Sequence, residues 1–443
     1  MLFYINIFTF FIGISKAAYL ALFNLLLKER GFANNIVGNA SFYYSWGVAF
    51  GGLFFSALSD KLSRKKVLIL TMPLFALIGL LRLETSKVLM LYLLSFAFGF
   101  VDTSIILPTI SVIEHSDEKK KLKNSNINFA IVMLTGVVGY FGAGLLSEKI
   151  GLINSLRISM VIAFFSIIPL FKVPNVRVKR EGIVPKVNTV QLTILVYYIL
   201  SGALVSVAAA IFINFGNVIF FDLFSFSPSV ITFVLTISQL STAIVSVFSH
   251  RITSKIPIKF AMFLFYTLVT VLIFIMPATL KSSVLFSIFY VLRFVFLNIT
   301  TPIFTVFCLS FMPIEYIATL SGLSYFTNNA MRAIAAKLFS LLSMGGETDY
   351  KKLFFVTGVF YLLNTVLTLL VFLLVSKFNE LNLDKKFTVP FLIGKKGQSL
   401  KASREIRIKN LNKSTKSGRL LISVKGKGRK SKNRIGGHMH FRS

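Results

Sequence analysis

Lys16, Asp102, Arg293, Arg332 and Lys337 each stand inside a long apolar run of this 443-residue chain. An ionised side chain held in hydrocarbon costs roughly 2.5–3.5 kcal/mol on insertion scales, so each is a candidate for binding or for moving a proton. Four are cations and one is an acid, so the set sums to +3. A partly dehydrated space with that excess attracts an anion, and guanidinium forks suit carboxylate or phosphate. Asp102 is the one acid of the set and the candidate for proton coupling; neutralising Lys16 or an arginine across a bundle is its other reading. Helical phase puts Thr9, Gly13 and Lys16 on one stripe, Ser95, Gly99 and Asp102 on a second, and Ser321, Ser324, Asn328 and Arg332 on a third. Arg293 sits less cleanly with Ser287 and Tyr290. Lys337 lies nearer a run's end, where its stem can snorkel to water. The candidate binding residues are therefore Lys16, Arg293, Arg332 and Asn328.

The elements that must position these groups are set by composition. Hydrophobic residues make up 55% of the chain and charged residues 14%, against about 25% charged in soluble domains. Mean hydropathy is +0.78. A soluble globular enzyme of this length would need far more polar surface, whereas a bilayer suits the composition. Runs long enough to cross one, about 20 residues each, lie near 4–27, 37–58, 67–81, 88–112, 127–146, 155–171, 191–217, 229–248, 260–280, 283–308, 319–343 and 353–376. The first has no basic leader and no cleavage site, and is expected to remain as a span. Cys308 is the one cysteine, so no internal disulfide can form, and the four histidines show no metal spacing. There is no phosphate-binding G-x-x-x-x-G-K-[ST] loop and no catalytic constellation. The expectation is a protein that is no enzyme, uses no cofactor, metal or ATP, and works in lipid.

Charge gives the topology. One alternate set of loops carries 16 basic residues before the tail, among them Lys61, Arg64, Lys65, Lys66, Lys119, Lys172, Arg251 and Lys259; the opposite set carries nine, including Lys28, Arg82 and Arg157. The positive-inside rule places the richer set and both termini in the cytoplasm of a cell-membrane protein. From Asn382 to Ser443 there are 18 basic and 2 acidic residues. Such a tail buries too little to fold alone and is expected on anionic inner-leaflet lipid. RNA or ribosome binding is its less favoured reading, since no RNA-binding signature accompanies it.

The chain also looks doubled. Ser59-Asp60-Lys61-Leu62-Ser63-Arg64-Lys65 is echoed 190 positions on by Ser249-His250-Arg251-Ile252-Thr253-Ser254-Lys255, and Pro108 and Pro302 stand 194 apart. Halves of six spans joined by a basic linker are typical of secondary transporters. Residues 56–66, Ser-Ala-Leu-Ser-Asp-Lys-Leu-Ser-Arg-Lys-Lys, resemble the loop 2–3 signature of the major facilitator superfamily, roughly G-x-L-x-D-[RK]-x-G-R-[RK]-[RK]. Ser56 and Ser63 replace its glycines, and Ser63 is less free than glycine to take a positive φ. The Pro108…Glu114…Lys121 ending of span four adds to the likeness. The resemblance implies that spans 1, 2, 4, 5, 7, 8, 10 and 11 line a central cavity while 3, 6, 9 and 12 support it. All five charges fall on cavity spans, with none expected at depth in spans three, six, nine or twelve. Asp60, Lys61, Arg64 and Lys65 would form a gating motif latching the two halves. Span five, Gly136 to Gly144, is similar to the glycine-rich fifth span of proton-coupled drug antiporters, but Tyr140 stands where their proline belongs.

These readings combine into one expectation. The fold is an all-α integral membrane protein of twelve transmembrane helices in two pseudo-symmetric six-helix bundles, residues 1–171 and 191–378, with linker 172–190 and basic tail 379–443. The function is alternating-access transport of a small solute, an organic anion by the cavity charge, with proton coupling through Asp102. The alternatives are a multidrug or neutral-solute exporter and, in another class, a membrane-anchored scaffold holding RNA or ribosomes by its tail.

Overall fold

The computed structural model describes residues 1–116, 121–175, 189–311 and 314–377. The tail, most of the linker, and Lys119 and Lys120 lie outside the described residues, as do the side chains of Glu114, Lys121 and Arg251. Among the described residues there is no strand. In lipid every backbone group must be satisfied internally, and apolar runs without water achieve that as helices. The α-helices are α1 Leu2–Glu29, α2 Asn34–Leu62, α3 Arg64–Glu84, α4 Val88–Phe100, α5 Ile106–Glu114, α6 Lys121–Ile150, α7 Leu152–Phe165, α8 Thr189–Phe224, α9 Pro228–Lys255, α10 Ile258–Ile275, α11 Ser283–Ser310, α12 Ile314–Leu342 and α13 Glu347–Lys377. Short 3-10 turns extend α7 and α10, at Ile168–Lys172 and Met276–Thr279. All lie in one compact unit, Met1–Val389.

Nine helical segments among the described residues are long and apolar enough to cross a bilayer. The other three expected runs correspond to α2, α12 and the α4–α5 pair. α2 and α12, 29 residues each, are more polar; they pack against each other, and Ser41, Ser45 and Asn329 among their polar residues are buried. Large apolar side chains such as Leu70, Leu77, Leu89, Phe171, Val284 and Phe355 are exposed instead of buried, as a lipid-facing surface requires.

Span four departs from the continuous run read in the sequence: residues 101–105 are not helical. Two local causes act together. Pro108 has no N–H to offer the Ser104 carbonyl, although the neighbouring Leu107→Thr103 and Thr109→Ile105 bonds do form. Asp102 also draws both the backbone N–H and the hydroxyl of Ser104 onto its Oδ1, at 3.3 and 2.6 Å, which competes with helical bonding. Pro302, the matching proline, sits inside an unbroken α11. The break is held against α2 through glycines. A Cβ on Gly47, Gly51 or Gly99 would collide with the backbone of Phe96, Phe100 or Tyr44, so these two helices touch backbone to backbone.

α1 packs on α6 and α7, and α2 on α4; in the second half α8 and α10 pack on α13, and α9 on α11. Across the halves, α2 meets α12, α6 meets α9 and α1 crosses α8. At the α1–α8 crossing Asn24 donates to the Asn214 carbonyl at 2.7 Å, and Asn217 donates to the Ala21 carbonyl at 2.7 Å. Each residue stands 193 positions from its counterpart (24 and 217, 21 and 214), so the two bonds are images of one another under the internal repeat.

Candidate functional site

Lys16 on α1 and Asp102 in the break of span four meet at 2.7 Å between Nζ and Oδ2. Tyr44 of α2 donates its hydroxyl to the same oxygen at 2.7 Å, while Ser104 serves Oδ1 and accepts from Lys16 Nζ at 3.3 Å. Asp102 is fully buried and its partners come from α1, α2 and its own segment. A carboxylate so supplied stays charged without water. The Lys16 side chain keeps 14% exposure.

On the other half, Arg332 of α12 is half-buried and makes no hydrogen bond or ion pair among the described residues. It lies within electrostatic reach of the phenols of Tyr140 on α6 and Tyr325 on α12. One turn away, Asn328 accepts from Ser206 of α8 at 3.0 Å and reaches Ser324 at 3.4 Å. This realises the Ser324, Asn328, Arg332 stripe; the Ser321 side chain lies outside the described residues. Tyr325 rests over Gly52 of α2, where a Cβ would lie 2.8 Å from its ring. The same phenol is within electrostatic reach of Asp102 as well as Arg332.

The remaining candidates are placed differently. Arg293 is fully buried among second-half helices, its guanidinium 4.6 Å from Phe294, 4.8 Å from Phe212 and 5.9 Å from Tyr361. It donates once, to the Tyr361 hydroxyl at 2.6 Å, and its Nε and Nη1 have no partner. Aromatic faces offset part of its lost hydration. Its contacts run to α8 and α13, away from the Lys16–Asp102 pair. Lys337 donates to Asn39 of α2 at 3.1 Å and lies 5.9 Å over Phe42, at the seam between halves.

The Asp60–Arg64 ion pair forms as the spacing implies. Arg64 is buried and also donates to Ser59 Oγ and the Ser56 carbonyl. Lys65 caps the end of span six through the Phe171 and Val173 carbonyls at 3.0 and 2.7 Å, and Lys61 is exposed. These bonds tie the loop to its own half. Ser63 takes φ 107° in place of the signature's glycine and caps α3 by accepting from the Lys66 N–H at 3.4 Å.

Two groups were missed in the sequence. Arg82, counted there as an outer-loop residue in a span without buried charge, is buried on α3. Its guanidinium lies 3.7 Å from the Phe23 ring, and Nε donates to Ser95 at 2.9 Å. The apolar run reads as ending at Leu81, but the helix continues to Glu84 and the long arm folds inward. The second group is at the far ends of α1 and α8. Lys28 meets Asp222 at 3.1 Å, and Asn34 and Tyr350 donate to the same carboxylate at 2.7 and 2.6 Å. Among the described residues no cluster of His, Cys, Asp and Glu is arranged to hold a metal ion.

The family model of the Major Facilitator Superfamily matches residues 5–336. Among solved structures, a D-xylose-proton symporter is 10% identical, covering 83% of this chain and 96% of its own, with a TM-score of 0.70. A bacterial homologue of the human lysosomal transporter Spinster, in an inward-facing and occupied conformation, is 11% identical over 84% of this chain and 96% of its own, at 0.68. The nucleoside transporter NupG is 15% identical over 84% and 98%, at 0.62. Such identities carry the fold alone. No curated protein matches the chain by sequence.

Proposed function

The chain belongs to the Major Facilitator Superfamily and is a secondary transporter; from that premise we propose that its solute is a small organic anion received between Lys16 and Arg332. Arg332 carries the reading. It is a half-buried cation with no counter-ion among the described residues, one turn from Asn328 on a helix whose Tyr325 packs on Gly52 of the other half. An anion gripped by Arg332, Asn328 and Lys16 would draw on both halves at once, as a site used from alternate sides must. Arg293 reaches such a solute only if its aromatic box opens, so its part is secondary.

Coupling follows from competition. A solute anion that takes Lys16 from Asp102 leaves a buried carboxylate without its cation, and a proton then restores neutrality at least cost. Anion and proton would move together. The reciprocal bonds of Asn24 and Asn217 support the division into halves at 1–171 and 191–378, and the basic loops support cytoplasmic ends in the cell membrane. The tail on inner-leaflet lipid belongs to the same proposal.

The test is reconstitution in liposomes with labelled carboxylates and phosphates, with and without a pH gradient. The named neighbours carry a nucleoside and D-xylose, so both neutral solutes belong in the panel. Uptake of an anion should fall at least tenfold in Arg332→Ala and Lys16→Ala. If neither change alters uptake of any anion while a neutral solute is carried, the anion assignment is wrong.

A further inference from the structure

Among the described residues, charged and amide bonds that join the halves gather at the ends opposite the basic loops. Lys28 and Asn34 of the first half hold Asp222 of the second; Asn34 also donates to Ser343 and Tyr350 at 3.0 and 3.2 Å. Ser340 reaches the Asn35 carbonyl at 3.0 Å and Asn39 at 3.1 Å, and Ser229 donates to Glu148. Asp222 is the centre of this group. It stands in the last turn of α8, where the helix dipole repels a carboxylate, so its charge depends on donors from elsewhere. Two of those donors belong to the opposite half, and Asp222 and Lys28 are both largely withdrawn from water, at 7% and 15% exposure.

The connectivity gives this acid a part that Asp102 cannot play. Every donor to Asp102 lies in its own half and travels with it. Parting the halves at the outer end must strip Lys28 and Asn34 from Asp222 and leave it with Tyr350. The Asn24 and Asn217 bonds, about one turn further in on the same two helices, join neutral groups and carry no charge across the halves. We infer that Asp222 is the residue that holds the outer end shut, and that removing its charge exposes the central site to that side. This rests on the transporter reading and names a residue that sets its direction of access.

The full-length protein suits a direct test, because its sole cysteine, Cys308, is buried. The reporter Ser206→Cys, beside Asn328, is labelled with a membrane-impermeant maleimide applied to each face of the membrane in turn. Asp222→Asn should raise labelling from the outer face about tenfold, the scale of a lost charge-assisted bond, and Asp222→Glu should stay near wild type. Lys28→Asp should also label fast, and the exchange Lys28→Asp with Asp222→Lys should return it to slow. Labelling from the outer face that is unchanged in both Asp222→Asn and Lys28→Asp overturns the inference, and the Lys28 arm stands if Asp222→Asn does not fold. Solute flux of the protein with Asp222, Lys28 and Ser206 intact separates the two readings: faster labelling of the variants with no flux in that parent sinks the transport assignment and keeps the latch, whereas flux in the parent with unaltered labelling of the variants does the reverse.

Discussion

Lys16–Asp102 and Lys28–Asp222 are built from the same parts. Each lysine is on α1, each aspartate takes a tyrosine hydroxyl, from Tyr44 at 2.7 Å and Tyr350 at 2.6 Å, and each pair is largely buried. They differ in what their partners are attached to. The first group closes on itself within one half; the second ties one half to the other. A buried ion pair therefore cannot be read from its chemistry alone: the bodies it connects decide whether it holds a bundle together or holds two bundles in one arrangement.

The comparison is open to attack at several strengths. Asp102→Ala leaves Lys16 charged in a buried site and should cost about 3–5 kcal/mol, seen as a large drop in the thermal midpoint in detergent. The paired change Lys16→Met with Asp102→Leu should recover most of that loss while uptake stays abolished; no recovery would mean that the pair is not self-contained. Asp222→Ala should cost less, about 1–3 kcal/mol, because Lys28 lies in the last turn of α1 and can swing to water. Equal losses at the two aspartates would erase the distinction. The Asp60–Arg64 pair is a third case, with Asp60 42% exposed. Asp60→Asn should shift stability by about 0.2–1 kcal/mol, and a larger shift would show the loop bearing load across halves. Arg332→Ala should move the midpoint least, within about 0.5 kcal/mol, since it breaks no bond among the described residues, yet it should remove anion uptake; a strongly destabilised Arg332→Ala would reveal a structural partner.

Much of this was legible in the chain. The apolar runs appear as helices in the expected order, and Lys16 and Asp102, found by type and depth, meet. The Ser324, Asn328, Arg332 stripe followed from helical phase. The break in span four was not legible, because an apolar run looks the same whether or not Ser104 turns toward Asp102. Arg82 was hidden by its length: a guanidinium can lie several ångströms from where its Cα suggests, here under Phe23. Arg293 is buried inside its apolar helix, but its aromatic surroundings depend on α8 and α13, which only packing brings together. The Lys28–Asp222 group was invisible for a different reason. Both residues stand at run edges, where charge is ordinary, and only the closure of one half on the other buries them.

The interruption between α4 and α5 has a mechanical consequence. A continuous helix resists bending because each kink must pull hydrogen bonds apart, a loss that hydrocarbon makes severe. Between residues 101 and 105 that loss has already been taken. The angle between α4 and the nine-residue α5 can therefore change like that of a knee at less cost than in an unbroken span, while Asp102 in the joint stays held by Lys16 of α1 and Tyr44 of α2.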